Sequence, residues 1–131
     1  MKTILVDAVN ALVIKNEDGE FEVFESMRKI LDEFSNRKII LTGADDEQFK
    51  KYGLDKMPYE VFTLKHDPEK TNPEYYTKML KHFELKAEEV IYFEHSQAAV
   101  ISAQSLGIQT YYWDNEKRLL KELANFLKQA I

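Results

Sequence analysis

Asp7 is the residue of this sequence whose position most suggests chemistry. It ends the apolar stretch ILVD, residues 4–7, which has the composition of a buried strand. A strand that delivers one carboxylate to its carboxyl end is the usual way in which an α/β protein presents a nucleophile or a metal ligand. The next residues, AVNA at 8–11, contain no second acid and no hydroxyl. The sequence therefore leaves two alternatives: Asp7 is a working catalytic residue, or it is the remnant of one.

Four other polar residues stand at comparable positions along the chain. Thr42 follows the apolar run KIIL, Glu94 and His95 follow VIYF, and Lys70 lies in the loop before a helical pattern. Because the carboxyl ends of parallel strands meet at one edge of a sheet, we expect these side chains and Asp7 to line one pocket. With no other strong charge partner nearby, Asp7 and Lys70 are predicted to form an ion pair.

The elements that must position these residues alternate between strand and helix. Continuous apolar runs with helical patterns between them predict a parallel sheet that helices cover on both faces. The expected fold is a three-layer, Rossmann-like α/β domain with a five-stranded parallel sheet. The predicted strands are Thr3–Val6, Lys38–Leu41, Glu60–Leu64, Val90–Phe93 and Gln109–Tyr112.

Helix boundaries are indicated by capping residues and apolar spacing. Val23, Met27, Ile30, Leu31 and Phe34 share one helical face. A short helix is predicted between Asp45 and Gly53, and a second helix has Asn72 as its N-cap and Pro73 at its first position. A third helix has Ser96 as its N-cap and ends at Gly107, and the last helix is predicted to begin at Asp114.

One segment interrupts the alternation of strand and helix. ALVIKNEDGEFEVF, residues 11–24, has two strand-like runs around the turn signal NEDG. It follows the Asp7 strand directly, so we predict a hairpin flap that could overhang an active site.

Composition excludes several classes of function. The chain has 131 residues, which predicts one domain, and a net charge of −5 without a basic cluster, which argues against nucleic-acid binding. It has no cysteine, no stretch that approaches a membrane span and no signal-peptide pattern, so a cytoplasmic location without a membrane partner is expected. We interpret His66 and His82 as ordinary surface or helix-flank histidines.

The motif residues together resemble the haloacid dehalogenase (HAD) superfamily. The resemblance runs from Ile4 to about Asp114 and is most specific between Lys70 and Gly107. It implies that Asp7 is a nucleophile that forms an aspartyl-phosphate, that Thr42 and Lys70 hold the phosphoryl group, and that acids of the fourth motif bind magnesium together with Asp7. It also implies a general acid and base two residues after the nucleophile.

The sequence departs from the family pattern at the centre of the site. Val9 stands where the general acid should be, Ala11 where a threonine is usual, and His95 where the main metal-binding aspartate should be, whereas Glu94 matches an acid of some relatives. We therefore expect little or no phosphatase activity and no tightly bound magnesium. If the family metal site survives, its ligands are Asp7, Glu94 and His95.

The spacing of the motifs leaves no room for the large cap domain that many relatives carry. We expect one domain, residues 1–131, with an open site that admits a small phosphorylated or a macromolecular ligand. The sequence leaves the partner and the oligomeric state open.

Three enzymatic or signalling alternatives remain beside an inactive binding module. The first is a phosphomonoesterase with a zinc or manganese site made by Asp7, Glu94 and His95. The second is a metal-free dehalogenase, which VDAVNAL superficially resembles, although no arginine lies near the predicted site and no cap is present. The third is a phospho-receiver domain, which is disfavoured because it needs further acids beside Asp7.

Overall fold

The computed structural model describes the whole chain, residues 1–131, and its main sheet has five parallel strands. The strands are β1 (Thr3–Asp7), β4 (Lys38–Thr42), β5 (Glu60–Thr63), β6 (Val90–Glu94) and β7 (Gln109–Tyr112), and their order is β5-β4-β1-β6-β7. The predicted five-stranded parallel α/β fold is confirmed. The chain runs outward from β1 through β4 to β5, then returns to β6 on the other side of β1 and continues outward to β7. The strand order therefore reverses between β1 and β6, and α/β sheets commonly bind ligands at such a point.

Five α-helices cover the two faces of this sheet. They are α1 (Glu25–Asp32), α2 (Asp46–Lys51), α3 (Glu74–Phe83), α4 (Gln97–Gln104) and α5 (Leu120–Ala130), with short 3₁₀ turns at Leu54–Lys56 and Ala87–Glu89. The buried residues of α1 and α5 pack on one face of the sheet, and those of α3 and α4 pack on the other. No helix is both long and apolar enough to span a membrane.

The central strands are buried on both sides, which explains their unbroken apolar sequence. In β1, Ile4 and Val6 belong to the core beneath α1 and α5, which also contains Trp113, whereas Leu5 belongs to the core beneath α3 and α4. Each large apolar side chain removed from water in this way contributes roughly 1.5–3 kcal/mol to folding.

Three strands run one residue further than the sequence predicted, and these final residues are functional candidates. Asp7 ends β1, Thr42 ends β4 and Glu94 ends β6. Val6 pairs with Phe93, so Glu94 lies beside Asp7, and Asp7 itself pairs with Leu41. Sheet register therefore brings the three side chains to the same edge.

The predicted hairpin is present as β2 (Val13–Lys15) and β3 (Phe21–Val23). The side chain of Asn16 accepts hydrogen bonds from two backbone amides of the turn, at 2.9 and 3.0 Å. The Phe21 ring packs edge-on against Tyr52, 4.7 Å between centroids, so the hairpin is fixed against the end of α2. Val23, which the sequence placed on the first helical face, pairs with Val13 in this hairpin instead.

Two other predicted helix starts differ from the structure. α3 begins at Glu74, not Pro73, although the Asn72 side chain still accepts a hydrogen bond from the Glu74 amide at 3.0 Å. Asp114 does not open α5; its carboxylate accepts hydrogen bonds from two amides of a separate turn. Arg118 has a φ of 49°, a left-handed conformation that interrupts any helix, and α5 begins only at Leu120.

Candidate functional site

A cleft of about 260 Å³ opens at the carboxyl edge of the sheet. All five residues singled out from the sequence line it: Asp7, Thr42, Lys70, Glu94 and His95. No residue of the two hairpin strands does so, and the hairpin touches the cleft lining through the contact of Phe21 with Tyr52 and the bridge of Val13 with Val9.

Lys70 lies between the two buried carboxylates of the cleft. Its Nζ donates hydrogen bonds to Asp7 Oδ1 at 2.8 Å and to Glu94 Oε1 at 2.9 Å. The predicted Asp7–Lys70 ion pair is thus present in the structure. Burial alone lowers the pKa of a lysine, but the charges of Asp7 and Glu94 outweigh burial and raise the pKa of Lys70 well above its ordinary value.

Glu94 has three of its four acceptor positions filled by donors inside the protein. Its Oε1 accepts hydrogen bonds from Tyr92 and Lys70, and its Oε2 accepts one from the Ser96 amide at 3.0 Å and lies 3.2 Å from His95 Nδ1. Burial by itself raises the pKa of a carboxyl group, but here the charge of Lys70 and these hydrogen bonds prevail and lower the pKa of Glu94. Glu94 is therefore an ionised acceptor, and only one position of Oε2, beside the His95 ring, receives no hydrogen bond of its own.

Asp7 keeps one free acceptor position. Its Oδ2 accepts hydrogen bonds from the backbone amide of His95 at 3.0 Å and from the His95 ring nitrogen Nδ1. Each carboxylate oxygen has two lone pairs, so only Oδ1, which already binds Lys70, can accept one more donor. Burial, followed by the charge of Glu94, raises the pKa of Asp7 despite the opposing effect of Lys70 and His95.

His95 is the second cation of the site. Its hydrogen bonds to Asp7 and then to Glu94 outweigh burial and raise its pKa to about 10. The ring is therefore an imidazolium at neutral pH, so His95 and Lys70 place two cations against the carboxyl groups of Asp7 and Glu94. Sequence reasoning identified this position but did not indicate that the histidine brings a positive charge to it.

Thr42 and Val9 complete the part of the cleft that the sequence identified. Thr42 Oγ1 accepts a hydrogen bond from the Ala44 amide at 3.2 Å and donates none, so its hydrogen is available to a ligand. The Thr42 carbonyl accepts a bond from the Tyr75 hydroxyl at 2.7 Å, which fixes the end of β4. Val9 is half-buried and lines the cleft, so the position of the expected general acid presents methyl groups.

Beneath the cleft, two buried tyrosines support Glu94, and sequence reasoning missed both. The Tyr92 hydroxyl donates to Glu94 Oε1 and lies 3.2 Å from the Tyr76 hydroxyl. Burial raises the pKa of both phenols, so they remain protonated donors. Tyr92 precedes Glu94 by two residues on β6 and so shares its face of the strand, which is the signal that could have revealed it.

The opposite wall of the cleft consists of residues without a predicted role. Gln48 and Tyr52 come from α2 and its end, and His66 and Glu69 from the loop between β5 and α3. His66 is exposed, as its interpretation as a surface histidine predicted, and its ring nitrogens contact Gln48 and Glu69 in the cleft wall. No local pattern marked this loop as part of the site.

A family model of haloacid dehalogenase-like hydrolases matches residues 2–112, which include every motif residue described above. The chain belongs to the haloacid dehalogenase-like hydrolase family. No protein of curated function matches its sequence significantly.

Solved structures with the same fold share little sequence with this haloacid dehalogenase-like chain. A HAD family enzyme from Bacteroides thetaiotaomicron, in complex with magnesium and inorganic phosphate, has a TM-score of 0.65 at 13% identity over 86% of this chain and 93% of its own. A HAD-superfamily hydrolase from Geobacter sulfurreducens gives 0.64 at 14% identity over 86% of both chains. An uncharacterized Listeria monocytogenes protein gives 0.71 at 12% identity over 99% and 98%.

The donor set of the cleft does not fit the magnesium ion that the haloacid dehalogenase-like family implies. Ligand atoms of Asp7, Glu94 and His95 lie within 4.8 Å of one another, so a metal-sized cluster exists. Magnesium prefers six oxygen ligands, however, whereas Asp7 and Glu94 each have one free acceptor position and His95 offers a protonated nitrogen. A magnesium ion would have to displace Lys70 or the His95 ring from the carboxylates.

The arginines of the chain lie away from the cleft. Arg28 faces Glu25 and Asp32 on its own helix, and Arg37 pairs with Glu60 at 2.9 Å. The Arg118 guanidinium lies 5.2 Å from the centre of the Phe24 ring. None is placed to receive a halide, which disfavours the dehalogenase alternative within the family.

Proposed function

We propose that this haloacid dehalogenase-like protein binds a phosphorylated ligand in the cleft and has little or no phosphatase activity. One observation carries the proposal: the side chains that would perform the chemistry are paired with one another. Lys70 and His95 occupy three of the four acceptor positions of Asp7, and Val9 lines the cleft where the family has its general acid.

The consequences for catalysis follow from the missing proton donor and from the charges. Loss of a positioned general acid and base typically slows a reaction by 10²–10⁴, or roughly 3–5 kcal/mol of barrier. A phosphate approaching Asp7 also experiences repulsion of about 4 kcal/mol per charge pair at ~4 Å and an effective dielectric constant of 20. Lys70 and His95 offset the carboxylates, but they are already bound to them.

Binding of a phosphoryl group is supported by the donors that remain. The Thr42 hydroxyl is free to donate, Lys70 Nζ has three hydrogens of which two are used, and Ser96 places the N-terminus of α4 at the cleft. The proposal includes that no cap domain covers these groups. An open cleft of this kind admits a phosphorylated small molecule or a phosphorylated macromolecule.

The test combines turnover with binding. Hydrolysis of p-nitrophenyl phosphate is measured for the wild type and Asp7→Asn without metal and with magnesium, manganese, cobalt or zinc, and inorganic phosphate is titrated calorimetrically. We expect equal, background turnover for both proteins, and phosphate binding by the wild type that Lys70→Met abolishes. Wild-type turnover 100-fold above that of Asp7→Asn, or no binding of phosphate, would refute the proposal.

A hydrolase that uses zinc or manganese is the alternative that one observation favours. Asp7, Glu94 and His95 form a cluster of two carboxylates and one histidine, a donor set that suits nitrogen-tolerant ions. In the same assay this alternative requires activity with zinc or manganese only, and loss of that activity in His95→Gln.

A further inference from the structure

The hairpin fixes the position of Val9, a half-buried apolar residue of the cleft lining. The Val13 amide, at the start of β2, donates to the Ala8 carbonyl at 2.9 Å, and the Val13 carbonyl accepts a hydrogen bond from the Asn10 amide at 2.8 Å. Both neighbours of Val9 are thereby tied to one residue of the hairpin. The Val9 side chain also packs against the core beneath α1 and α5, so its position in the cleft is well defined.

The other strand of the hairpin supports Tyr52, the largest apolar residue of the cleft lining. Phe21 of β3 packs edge-on against the Tyr52 ring, and both rings pack against the same core as Val9. The Tyr52 amide donates to the Gln48 carbonyl at 2.9 Å, which fixes the backbone at the end of α2. A ring held in this way loses little conformational freedom when a ligand packs against it.

The two supports are neighbours in the hairpin, so Val9 and Tyr52 are held from the same side of the cleft. Val13 pairs with Val23, and Phe21 lies two residues before Val23 on β3. Such diagonal neighbours in an antiparallel pair are roughly 7–8 Å apart. We refer to Val9 and Tyr52 as the apolar wall of the cleft.

The apolar wall differs from the rest of the lining, whose only other apolar residues are Ala44 and Ala99. The Thr42 hydroxyl and the Lys70 ammonium belong to the same cleft of about 260 Å³, and a cleft this small brings the organic group of a bound phosphomonoester against its walls. Burial against the apolar wall favours an apolar organic group. Because aromatic rings attract one another beyond the effect of buried area, the wall favours an aromatic ring over an aliphatic one.

We propose that Tyr52 and Val9 determine which organic group is bound, and that the ligand is an aryl phosphate, in which phosphate esterifies a phenol-type hydroxyl. The phosphoryl group lies at Thr42 and Lys70, and the aromatic ring packs against the apolar wall. Phe21 is a positioning residue, because it acts on the ligand only through Tyr52. This inference rests on the proposed function, since it concerns the group attached to the bound phosphate.

The experiment is a calorimetric comparison of four probes: inorganic phosphate, ethyl phosphate, cyclohexyl phosphate and phenyl phosphate. Cyclohexyl and phenyl groups have similar size, so their comparison separates aromatic character from apolar area. The proteins are the wild type, Tyr52→Phe, which keeps the ring, Tyr52→Leu, which removes it, Val9→Thr, which keeps the shape and adds a hydroxyl, and Phe21→Leu. The matched control is Tyr112→Leu, at an exposed tyrosine that does not line this cleft.

We expect the wild type, Tyr52→Phe and Tyr112→Leu to bind phenyl phosphate roughly three- to tenfold more tightly than cyclohexyl phosphate, the range that an aromatic pair provides. Tyr52→Leu should lose this preference and keep its affinity for inorganic phosphate, and Phe21→Leu should show an intermediate preference. Val9→Thr should weaken both ring-bearing probes and leave inorganic phosphate unaffected. The ring current of bound phenyl phosphate should also shift the NMR signals of the Val9 methyl groups, which cyclohexyl phosphate cannot do in this way.

Each other outcome overturns a defined part of the proposal. If the wild type binds phosphate but prefers neither ring-bearing probe over ethyl phosphate, the apolar wall does not contact the organic group. If cyclohexyl and phenyl phosphate bind equally, the selection of an aromatic ring is wrong. If Tyr52→Leu weakens all four probes equally, Tyr52 has only a structural role, and if Phe21→Leu keeps the full preference, Phe21 is not a positioning residue. If the wild type binds neither inorganic phosphate nor any ester, the proposed function fails and this inference fails with it.

Discussion

At the scale of single residues, His95 determines the electrostatics of the cleft. An aspartate at this position would add a third carboxylate beside Asp7 and Glu94, and a divalent cation would be needed to neutralise them. The histidine instead donates to Asp7 Oδ2 through both its amide and its ring, and its ring lies 3.2 Å from Glu94 Oε2. The imidazolium thus supplies, from within the chain, a charge that a metal would otherwise bring.

This role of His95 predicts a specific pH dependence of stability. Its pKa is about 10 in the folded protein and 6.5 ordinarily, so the folded state binds the proton more tightly. The stabilisation is complete below pH 6.5 and is lost as the pH rises from there through about 10. Urea unfolding of the wild type and His95→Gln between pH 6 and 9.5 should give a difference that shrinks steadily with pH. Parallel curves would show that the ring is uncharged.

Tyr92 is the second residue whose effect can be isolated. Tyr92→Phe removes the hydrogen bond to the ionised Glu94 and leaves the Tyr76 hydroxyl without its partner. We expect a loss of about 2 kcal/mol in the free energy of unfolding, the magnitude for a buried bond to a charged group. Tyr112→Phe, at an exposed tyrosine of β7, is the control and should cost less than about 0.5 kcal/mol. Equal unfolding free energies for the two variants would contradict the structural role of Tyr92.

At the scale of elements, the short helix α2 connects the core to the cleft wall. Asp45 and Gln48 form a reciprocal capping box, in which Asp45 accepts from the Gln48 amide at 2.9 Å. Since α2 has only six residues and buries none completely, it depends on its cap, on the Phe21–Tyr52 contact and on the packing of Phe49 against the core.

We therefore predict that Asp45→Ala costs about 1 kcal/mol of stability, the usual cost of losing an N-cap side chain. Glu47→Ala is the matched control, because Glu47 is exposed in the first turn of the same helix and makes no hydrogen bond through its side chain. Chemical denaturation of both variants measures the difference. A loss in Glu47→Ala as large as that in Asp45→Ala would show that helix charge, and not the cap, explains the effect.

At the scale of the whole molecule, the fold is that of the family, while the site departs from the expected family pattern at Val9, Ala11 and His95, of which Val9 and His95 replace acids. Val9→Asp returns an acid two residues after Asp7, and His95→Asp returns an oxygen ligand beside Glu94. Because one change serves proton transfer and the other magnesium binding, neither alone should suffice. The double variant should bind magnesium more tightly than the wild type and hydrolyse p-nitrophenyl phosphate measurably but modestly.

Magnesium titration and turnover of the wild type, both single variants and the double variant test this prediction, with circular dichroism as the check of folding. Asp7→Asn in the double background is the control and should abolish the gained turnover. A cost in stability is expected, because Val9 is half-buried and a carboxylate there needs a partner. A folded double variant without magnesium binding or turnover would show that the backbone geometry has also departed from that of a phosphatase.

The sequence by itself determined the sheet and the set of residues at its edge. Unbroken apolar runs identify buried parallel strands, and the carboxyl ends of such strands meet at one edge of the sheet. Asp7, Thr42, Glu94 and His95 therefore had to converge there, even though three strands end one residue later than predicted. The hairpin was predictable for a similar reason, because its turn residues are specific to short loops.

Only the tertiary structure decided which partners these side chains take. Hydrogen-bond pairing depends on rotamers and on loops whose backbone conformation has no local signal: nothing in a lysine or a histidine announces the left-handed φ of Lys65 and His66. The left-handed conformation of Arg118 has no local signal either, and because of it α5 begins later than the sequence predicted. The alternation of side chains along a strand determines which face each one occupies. The charge of His95 and the pairing of Asp7 with it, however, arise from a contact between residues 88 positions apart in sequence.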